Sequence, residues 1–442
     1  MYEAIKAPKI SFYDYIVIGG GTSGIPIATT LSKKYSVLLL ERGASPYGNP
    51  NITDIANFGS YFSDNSPNTP SQQFVSVDGV VNVRARVLGG GTSINGGFYS
   101  RGEGRFIKEA KLVDERLIKK SYRWVEKVMV FKPVLTKWNL ALKVALVDAG
   151  VTPENGFTYD HVIGTKVGGT IFDQNGTRHT AADLLRYANP KGLCLLLHAT
   201  AQKILFKTKG RSRPMAYGVV YEDALGRKHR AYLKGGKMDE IILSAGALGS
   251  LQLLMLSGVG PKDQLHMHNI KTLLHHPLIG QGMVDNPING IFIPSPMPVA
   301  KSLVNIVGIT QSGNYIEGVE GLNMIGAKPS DYQGYSYKMG GFIFGKINYP
   351  KSKGELKLKN RNPAENPYDN VWTTFHYHGG CQMEKVVDGE YKILGVDAVR
   401  VIDGSTLTNS PGTNPQASLL MLGRYMGITI LNKRLANDKS KF

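Results

Sequence analysis

The chain has 442 residues, 42% hydrophobic and 19% charged, with 52 Lys+Arg against 34 Asp+Glu for a formal charge of +18. That length exceeds one hydrophobic core and suits about two or three domains, and the composition excludes intrinsic disorder. Glycine is in excess at 52 residues without a G-X-Y period, which excludes collagen, and its clusters at Gly19-Gly20-Gly21 and Gly89-Gly90-Gly91 point to backbone brought close to a ligand.

The first residues, Met1-Tyr2-Glu3-Ala4-Ile5-Lys6, lack the apolar run of a signal peptide, so the chain is expected either to stay in the cell or to have lost a leader. Residues 13–31 begin with the β-branched run Ile16-Val17-Ile18 and pass through GGGTSG into an apolar helical stretch. A second buried-looking strand, 36–40, ends on Glu41. This is strand, glycine turn, helix, strand, a βαβ unit. Gly19, Gly21 and Gly24 form G-x-G-x-x-G directly after the first strand, and Glu41 follows Gly24 by 17 residues. The glycines permit a tight turn and close approach of a pyrophosphate to the helix N-terminus, and the acid suits ribose hydroxyls. That unit does not choose between FAD and NAD.

Residues 43–85, rich in Pro, Asn, Ser and Gly, read as long loops that end at a second glycine cluster, RVLGGGTSINGG. The second cluster offers further backbone amides and Asn95, which favours an extended flavin dinucleotide. Residues 106–150 read as helical, with basic and acidic residues interspersed. The positive charge is therefore expected to be a solvated surface, since no basic run with interleaved aromatics marks a nucleic-acid groove.

Strands are expected at 169–172, 193–197, 202–206, 218–221 and 240–243. Residues 291–370, with the alternation GELKLK, suit an antiparallel sheet over a separate domain, and a closing helix is expected over about 415–436. The uncharged stretches 15–32 and 241–260 have the length of a membrane span, yet their glycines and serines fit a soluble strand, turn and buried helix better. Two cysteines, Cys194 and Cys381, exclude a disulfide framework and a cysteine-built zinc site. His376 and His378 would share a face of an extended strand, but no third ligand lies near them in sequence, so no metal site is expected.

DYIVIGGGTSG, ERG, RVLGGGTSINGGFYSRG, GFTYDHVIGTKVGGTIFDQNGTRHTAADLL, SAGALGSLQLLMLSGVGP, HYHGGCQM and VIDGSTLTNSPGTNPQASLLMLGRYMG resemble, in order, the glucose-methanol-choline (GMC) oxidoreductases, and within them the plant mandelonitrile lyase-like and HOTHEAD-like branch. The resemblance implies an α/β fold: a Rossmann-like FAD-binding domain, discontinuous in sequence, and a smaller α+β substrate domain built on an antiparallel sheet. The expected division is 1–105, 161–290 and 371–442 for the FAD-binding parts, 106–160 for a helical connection and 291–370 for the substrate domain.

The resemblance also implies a non-covalent FAD. Gly19, Gly21, Thr22, Ser23 and Gly24 match its first turn, Glu41 and Arg42 the ribose, and Val87, Gly91, Asn95, Gly96, Gly97 and Phe98 the second loop. Ala201 matches the adenine end, Phe375 and His376 the flavin ring, Asp403 and Gly404 the diphosphate and ribityl region, and Pro415 and Gln416 the pyrimidine side.

Imidazole titrates in the range a base for alcohol oxidation needs, and His376 stands where the family places that base, with hydride passing to flavin N5. Asn414 stands where others have a second histidine; it can donate to a substrate oxygen but cannot shuttle a proton. The expected function is oxidation of the CH–OH group of a small alcohol. The alternatives are a hydroxynitrile lyase acting on a cyanohydrin with structural FAD, and a shortened family member of little activity. The shortening falls between 315 and 370; Leu251 replaces the family's proline and Phe375 its tryptophan. Five further histidines, His161, His179, His198, His275 and His276, are expected to be satisfied structural residues. The closing Ser440-Lys441-Phe442 resembles a peroxisomal address only loosely, and the compartment stays open.

Overall fold

The computed structural model describes residues 1–440 except 63, 65, 67, 78, 296, 298, 322–339, 366, 367 and 370–374. Much of the shortened segment, the residues just before Phe375, and the last two residues of the chain thus lie outside the described residues.

Uninterrupted runs of Ile, Val and Leu suit strands buried on both faces, and they form the first layer. Its six parallel strands run in the order Tyr2–Glu3, Leu193–Leu197, Val37–Leu40, Tyr15–Ile18, Glu240–Leu243 and Val399–Val401. Strands far apart in sequence therefore share one sheet, as expected of a chain that leaves a Rossmann-like layer and returns to it. The helix α1 (Gly24–Leu31) leaves the first glycine turn fully buried, with Pro26 in its first turn, where a missing N–H costs little.

Helix α2 (Glu115–Met129) is capped by Asp114, which accepts the Leu117 N–H at 2.9 Å. It buries Ile118, Tyr122, Val125 and Met129 and exposes Lys119, Lys120, Arg123 and Lys127, so its charge is a solvated face. Helix α3 (Lys137–Asp148), opened by a Thr136/Asn139 capping box, presents Leu142 and Leu146 to Val167 and Ile306 of a second sheet. A Cβ at Gly318 would sit 2.2 Å from Leu142, so glycine in that strand is what lets the helix approach.

This second sheet has six strands in the order Ile288–Pro294, Gly340–Lys346, Tyr315–Glu320, Ile306–Ile309, Gly164–Val167 and Glu154–Phe157, antiparallel except for the last pair. Its other face carries Val307, Ile309, Tyr315, Val319 and Phe342 onto Phe98 of the second glycine loop. The alternation of GELKLK forms a short strand, Gly354–Lys357, in a separate small sheet.

Helix α4 (Gly246–Leu256) follows the strand Glu240–Leu243. The closing helix α5 (Gln416–Lys439) packs on α1 so closely that a Cβ at Gly423 would lie 2.4 Å from the Ser23 carbonyl oxygen. The two uncharged stretches are therefore core strand and helix, and among the described residues no helix is long and apolar enough to cross a membrane.

One expectation fails in the stretch read as long loops. Ser71–Val75 and Val81–Ala85 pair as an antiparallel hairpin. The sequence between them includes the dipeptide Asp78-Gly79, which is a hairpin signal.

Candidate active site

The two glycine loops meet. The Gly89 N–H donates to the Gly20 carbonyl at 2.8 Å, so the first turn and the second cluster form one wall. Gly19 adopts φ +105°, and a Cβ there would lie 2.3 Å from the Ser244 carbonyl; Gly24 is as tightly held against Gly19. These two are glycine for the protein's own packing. Gly21, Gly91 and Gly96 differ, since their φ is not left-handed. A Cβ would stand 3.6 Å from its nearest neighbour at Gly21, 3.9 Å at Gly91, and would meet nothing within 4 Å at Gly96. Nothing in the protein demands glycine at these three, whereas a ligand lying on the backbone would.

Glu41 closes the wall from the next strand. It is buried, and its Oε2 and Oε1 accept the Gly20 and Gly43 N–H groups at 2.9 and 2.8 Å. Burial pushes its carboxyl above the ordinary carboxylate range, with the two backbone donors and Arg42 opposing. Two lone-pair sites remain for hydroxyls. Arg42 turns to the hairpin, donating to Gln72 Oε1 at 2.8 Å and the Ala85 carbonyl at 2.9 Å, and burial lowers it to about 10. Beside Glu41 opens a cavity lined by Arg42, Gly43, Asn68, Arg86, His198 and Thr200, with Ala201 next along the strand Thr200–Lys207. Backbone-approachable glycines, a buried carboxylate at the end of the neighbouring strand and a cavity beside the residues that follow it fit the dinucleotide expected here.

In the second loop the Asn95 side chain is held by protein at both its nitrogen and its oxygen. Its Nδ2 donates to Gln416 Oε1 at 2.9 Å, and its Oδ1 accepts from the Gly97 N–H and from Arg178. Gln416 in turn donates to the Phe98 carbonyl at 2.5 Å, so Asn95, Phe98 and Gln416 come together at the start of α5, next to Pro415. Val87 is buried among Tyr61, Phe62, Val83 and Ile94, which leaves only its backbone for a ligand. Thr22 and Ser23 lie at the N-terminus of α1, with Ser23 Oγ on the Leu419 carbonyl at 3.2 Å.

Asp403 is likewise occupied. It accepts from Ser250 Oγ at 2.5 Å, Ser405 Oγ at 2.6 Å and the Ser405 N–H at 2.9 Å, tying Gly404 and the turn 404–406 to α4. Burial raises its carboxyl despite these donors.

Phe375 holds a left-handed φ of +62° and packs 6.1 Å from Phe62. The His376 N–H donates to Asp285 Oδ1 at 2.9 Å, and the His376 carbonyl accepts His378 Nδ1 at 2.9 Å. That bond makes Nδ1 the donor of His378, whose backbone bridges to Val284, and leaves its Nε2 buried without a hydrogen-bond partner among the described residues. Among the described residues no group of three potential ligands forms. Dense surroundings, Lys346 and His378 hold His376 well below the ordinary histidine range, although one side of the residue still reaches solvent. His376 is thus neutral at neutral pH, the form that accepts a proton.

Asn414, two residues before α5, shares a neighbour with His376, since the cation Lys346 acts on both. Its Oδ1 accepts from Lys346, whose Nζ also meets Glu317 Oε1 at 2.7 Å and stands 4.4 Å over the Tyr315 ring. His161 stacks on Tyr315 at 6.5 Å, and burial with Lys166 and Lys346 lowers it to about 4.

Sequence reasoning did not find Lys346, Glu317, Asp285 or Arg178. It also expected His161, His179, His198, His275 and His276 to be satisfied. His179 and His198 are, on Asp183 and Glu3, but Nδ1 of His161 and of His276 is buried with no hydrogen-bond partner among the described residues.

The two halves of this arrangement match known protein families. Residues 13–288 and 349–423 match the N- and C-terminal GMC oxidoreductase models. The chain is 43% identical to Protein HOTHEAD of Arabidopsis thaliana (97% of this chain, 89% of that protein). It is 39% identical to an (R)-mandelonitrile lyase-like protein of the same plant (96% and 90%), and 38% identical to Sinalpyl alcohol oxidase Nec3 of Nesocodon mauritianus (99% and 90%). A formate oxidase structure from Aspergillus oryzae RIB40 superposes with a TM-score of 0.81 at 17% identity, covering 97% of this chain and 99% of that one. The chain belongs to the GMC oxidoreductase family. The match to HOTHEAD runs over 532 positions against a chain of 442, so that relative carries at least 90 positions inside the matched span without counterpart here.

Proposed function

We propose that the chain is an FAD-dependent oxidoreductase acting on the CH–OH group of a small alcohol. The observation that carries this reading is the pairing of a neutral imidazole, His376, with a fixed amide, Asn414, through the one buried cation Lys346 that acts on both. The flavin, when bound, supplies a two-electron acceptor for the hydride released from carbon.

His376 takes the hydroxyl proton on its ring, a role for which its depressed basicity keeps it unprotonated, and Asn414 donates from Nδ2 to the substrate oxygen. Asp285 fixes the His376 backbone, and His378 supports it through the His376 carbonyl. For the cofactor, Gly19, Gly21, Thr22, Ser23 and Gly24 take the diphosphate side, Glu41 and Arg42 the ribose, and Ala201 the adenine. The backbone of Val87, Gly91 and Asn95, with Gly96, Gly97 and Phe98, lines the second side. Phe375 and His376 face the ring, Asp403 and Gly404 contribute through their backbone, and Pro415 and Gln416 take the pyrimidine end.

The test is anaerobic. The yellow holoprotein is mixed with aliphatic and aromatic alcohols, and bleaching of the flavin band is the expected result; a band that no alcohol bleaches counts against the reading. The name of one relative, the (R)-mandelonitrile lyase-like protein, favours a second outcome. If mandelonitrile releases cyanide and His376→Ala stops it, the protein is a hydroxynitrile lyase with the same base. A third outcome, a colourless protein that takes up no FAD on refolding, fits the missing positions and the exposure of Phe375 and Ile291, and would mark a shortened member without activity.

A further inference from the structure

We propose that Lys346 is a positioning residue of this alcohol site: it holds the amide oxygen of Asn414 and so turns the Asn414 NH2 group toward the substrate oxygen. The proposal rests on the reading of His376 and Asn414 given above.

Lys346 ends the strand Gly340–Lys346, and its side chain is 1% exposed. Phe342 and Phe344 precede it at two-residue spacing, so the pleat aims Lys346 at the same inner face. There its ammonium is held on three sides. Glu317 Oε1 lies 2.7 Å away, the Tyr315 ring lies 4.4 Å below, and Asn414 Oδ1 accepts its third contact. Tyr315 is itself fixed, its hydroxyl 3.0 Å from Thr413 Oγ1, next to Asn414 in the chain. Burial weakens the hold of Lys346 on its proton, but the Glu317 carboxylate and Asp285 oppose that loss.

An ammonium has three donors and no acceptor, while an asparagine amide has one end of each kind. Only the oxygen of Asn414 can face Lys346; the flipped amide would set N–H against N–H. The orientation of this side chain, normally ambiguous between O and N, is therefore set by the chemistry of its neighbour. The donor end is left for the substrate. With Lys346 removed, the Asn414 NH2 would be drawn to the unpaired Glu317 carboxylate, presenting a carbonyl oxygen to the substrate oxygen.

The test uses the FAD-loaded protein and benzoate, whose carboxylate oxygen takes the donor meant for the alcohol oxygen. Binding is read from the flavin absorbance without turnover, and kcat/KM from alcohol oxidation. K346M is expected to weaken benzoate by roughly tenfold or more, as loss of a charge-assisted contact does, with a parallel fall in kcat/KM. K346R, which keeps a donor, should remain within about threefold of the parent. The double variant K346M/N414A should bind no more weakly than N414A, because residues acting through one contact are not additive. Should K346M fail to fold with Glu317 unpaired, K346M/E317Q removes both charges and takes its place in the cycle. K346M binding within about twofold of the parent, or losses that add in the double variant, would overturn the proposal. So would a parent protein whose flavin does not respond to benzoate. A parent that binds benzoate but oxidises no alcohol overturns the oxidation reading instead, and the cycle still decides the role of Lys346.

Discussion

Glu41 accepts the Gly20 N–H at 2.9 Å, and through that bond the end of the strand Val37–Leu40 holds the shape of the first glycine turn. The acid is therefore a structural member of the loop, beside the ribose role proposed for it. Its other oxygen does the same for Gly43, so one buried carboxylate organises both turns at the mouth of the sheet.

Glu41→Ala is accordingly expected to do two kinds of damage. Leaving the Gly20 and Gly43 N–H groups unpaired costs about 1–3 kcal/mol each in stability. FAD retention should also fall, because the ribose loses its acceptor. Glu41→Gln keeps one acceptor and should lower the melting temperature less than Ala does, while still weakening FAD. Thermal denaturation and flavin-to-protein absorbance after gel filtration separate the two effects; an Ala variant that keeps full flavin content would refute the assignment at the ribose.

The glycines of the two loops predict opposite outcomes. Gly21→Ala and Gly91→Ala place a Cβ no closer than 3.6 and 3.9 Å to protein atoms, with no left-handed φ, so the apoprotein should be as stable as the parent or slightly more so. FAD affinity should nonetheless drop about tenfold or more, since the methyl occupies ligand space. Gly19→Ala, at φ +105° and 2.3 Å from the Ser244 carbonyl, should destabilise the apoprotein itself. Urea melts of apoprotein beside fluorescence titration with FAD give the comparison, and equal loss of stability in all three variants would rule it out.

How far the sequence reveals this site depends on the range of the signal. The parallel strands were legible because runs such as Tyr15–Ile18 and Glu240–Leu243 are apolar on both faces, and the glycine turn because its motif is contiguous. The hairpin at 71–85 was obscured by its Pro, Asn and Ser flanks, although the sequence between its strands includes the turn signal Asp-Gly. Lys346 was missed because a lysine in a glycine-rich strand reads as solvent-facing. Only the two-residue count from Phe342 and Phe344 places it inside, and its partners Glu317 and Asn414 are 29 and 68 positions away. Arg178, which donates to Asn95, Thr92 and Ile52 from a buried position, carries no local signal of that role.

At the chemical step, His376→Asn should abolish alcohol-driven flavin bleaching while FAD stays bound, since the amide fills the space of the ring but cannot take the proton. Asn414→Ala should lower kcat/KM by about tenfold to a hundredfold, in keeping with loss of one donor to a reacting oxygen. It should leave the acid limb of the pH profile in place, because Asn414 does not titrate. With His376 as the proposed base, which burial, Lys346 and His378 depress, activity should persist to well below pH 6.5 before it falls. Stopped-flow reduction across pH decides this; a limb at or above the ordinary histidine value would assign it to another group.

Stability should also decline toward acid, through histidines held neutral in the fold. His376, His378, His161 and His276 all lie below the unfolded value, chiefly through burial, His378 and His161 at about 4. A histidine whose folded pKa is depressed contributes its full stability above the unfolded value near 6.5, and that contribution is lost as pH falls toward the folded value. His179, raised by Asp183, works the other way, and the buried acids Glu41 and Asp403, held above their ordinary range, oppose the trend at its lower end. The His378→Asn variant isolates one contribution. His378 is 3% exposed, and its shift corresponds to a term on the order of 3 kcal/mol between pH 7 and pH 4. Urea midpoints measured from pH 7.5 down to 4.5 should therefore fall more steeply for the parent than for His378→Asn, and parallel curves would show that His378 titrates normally.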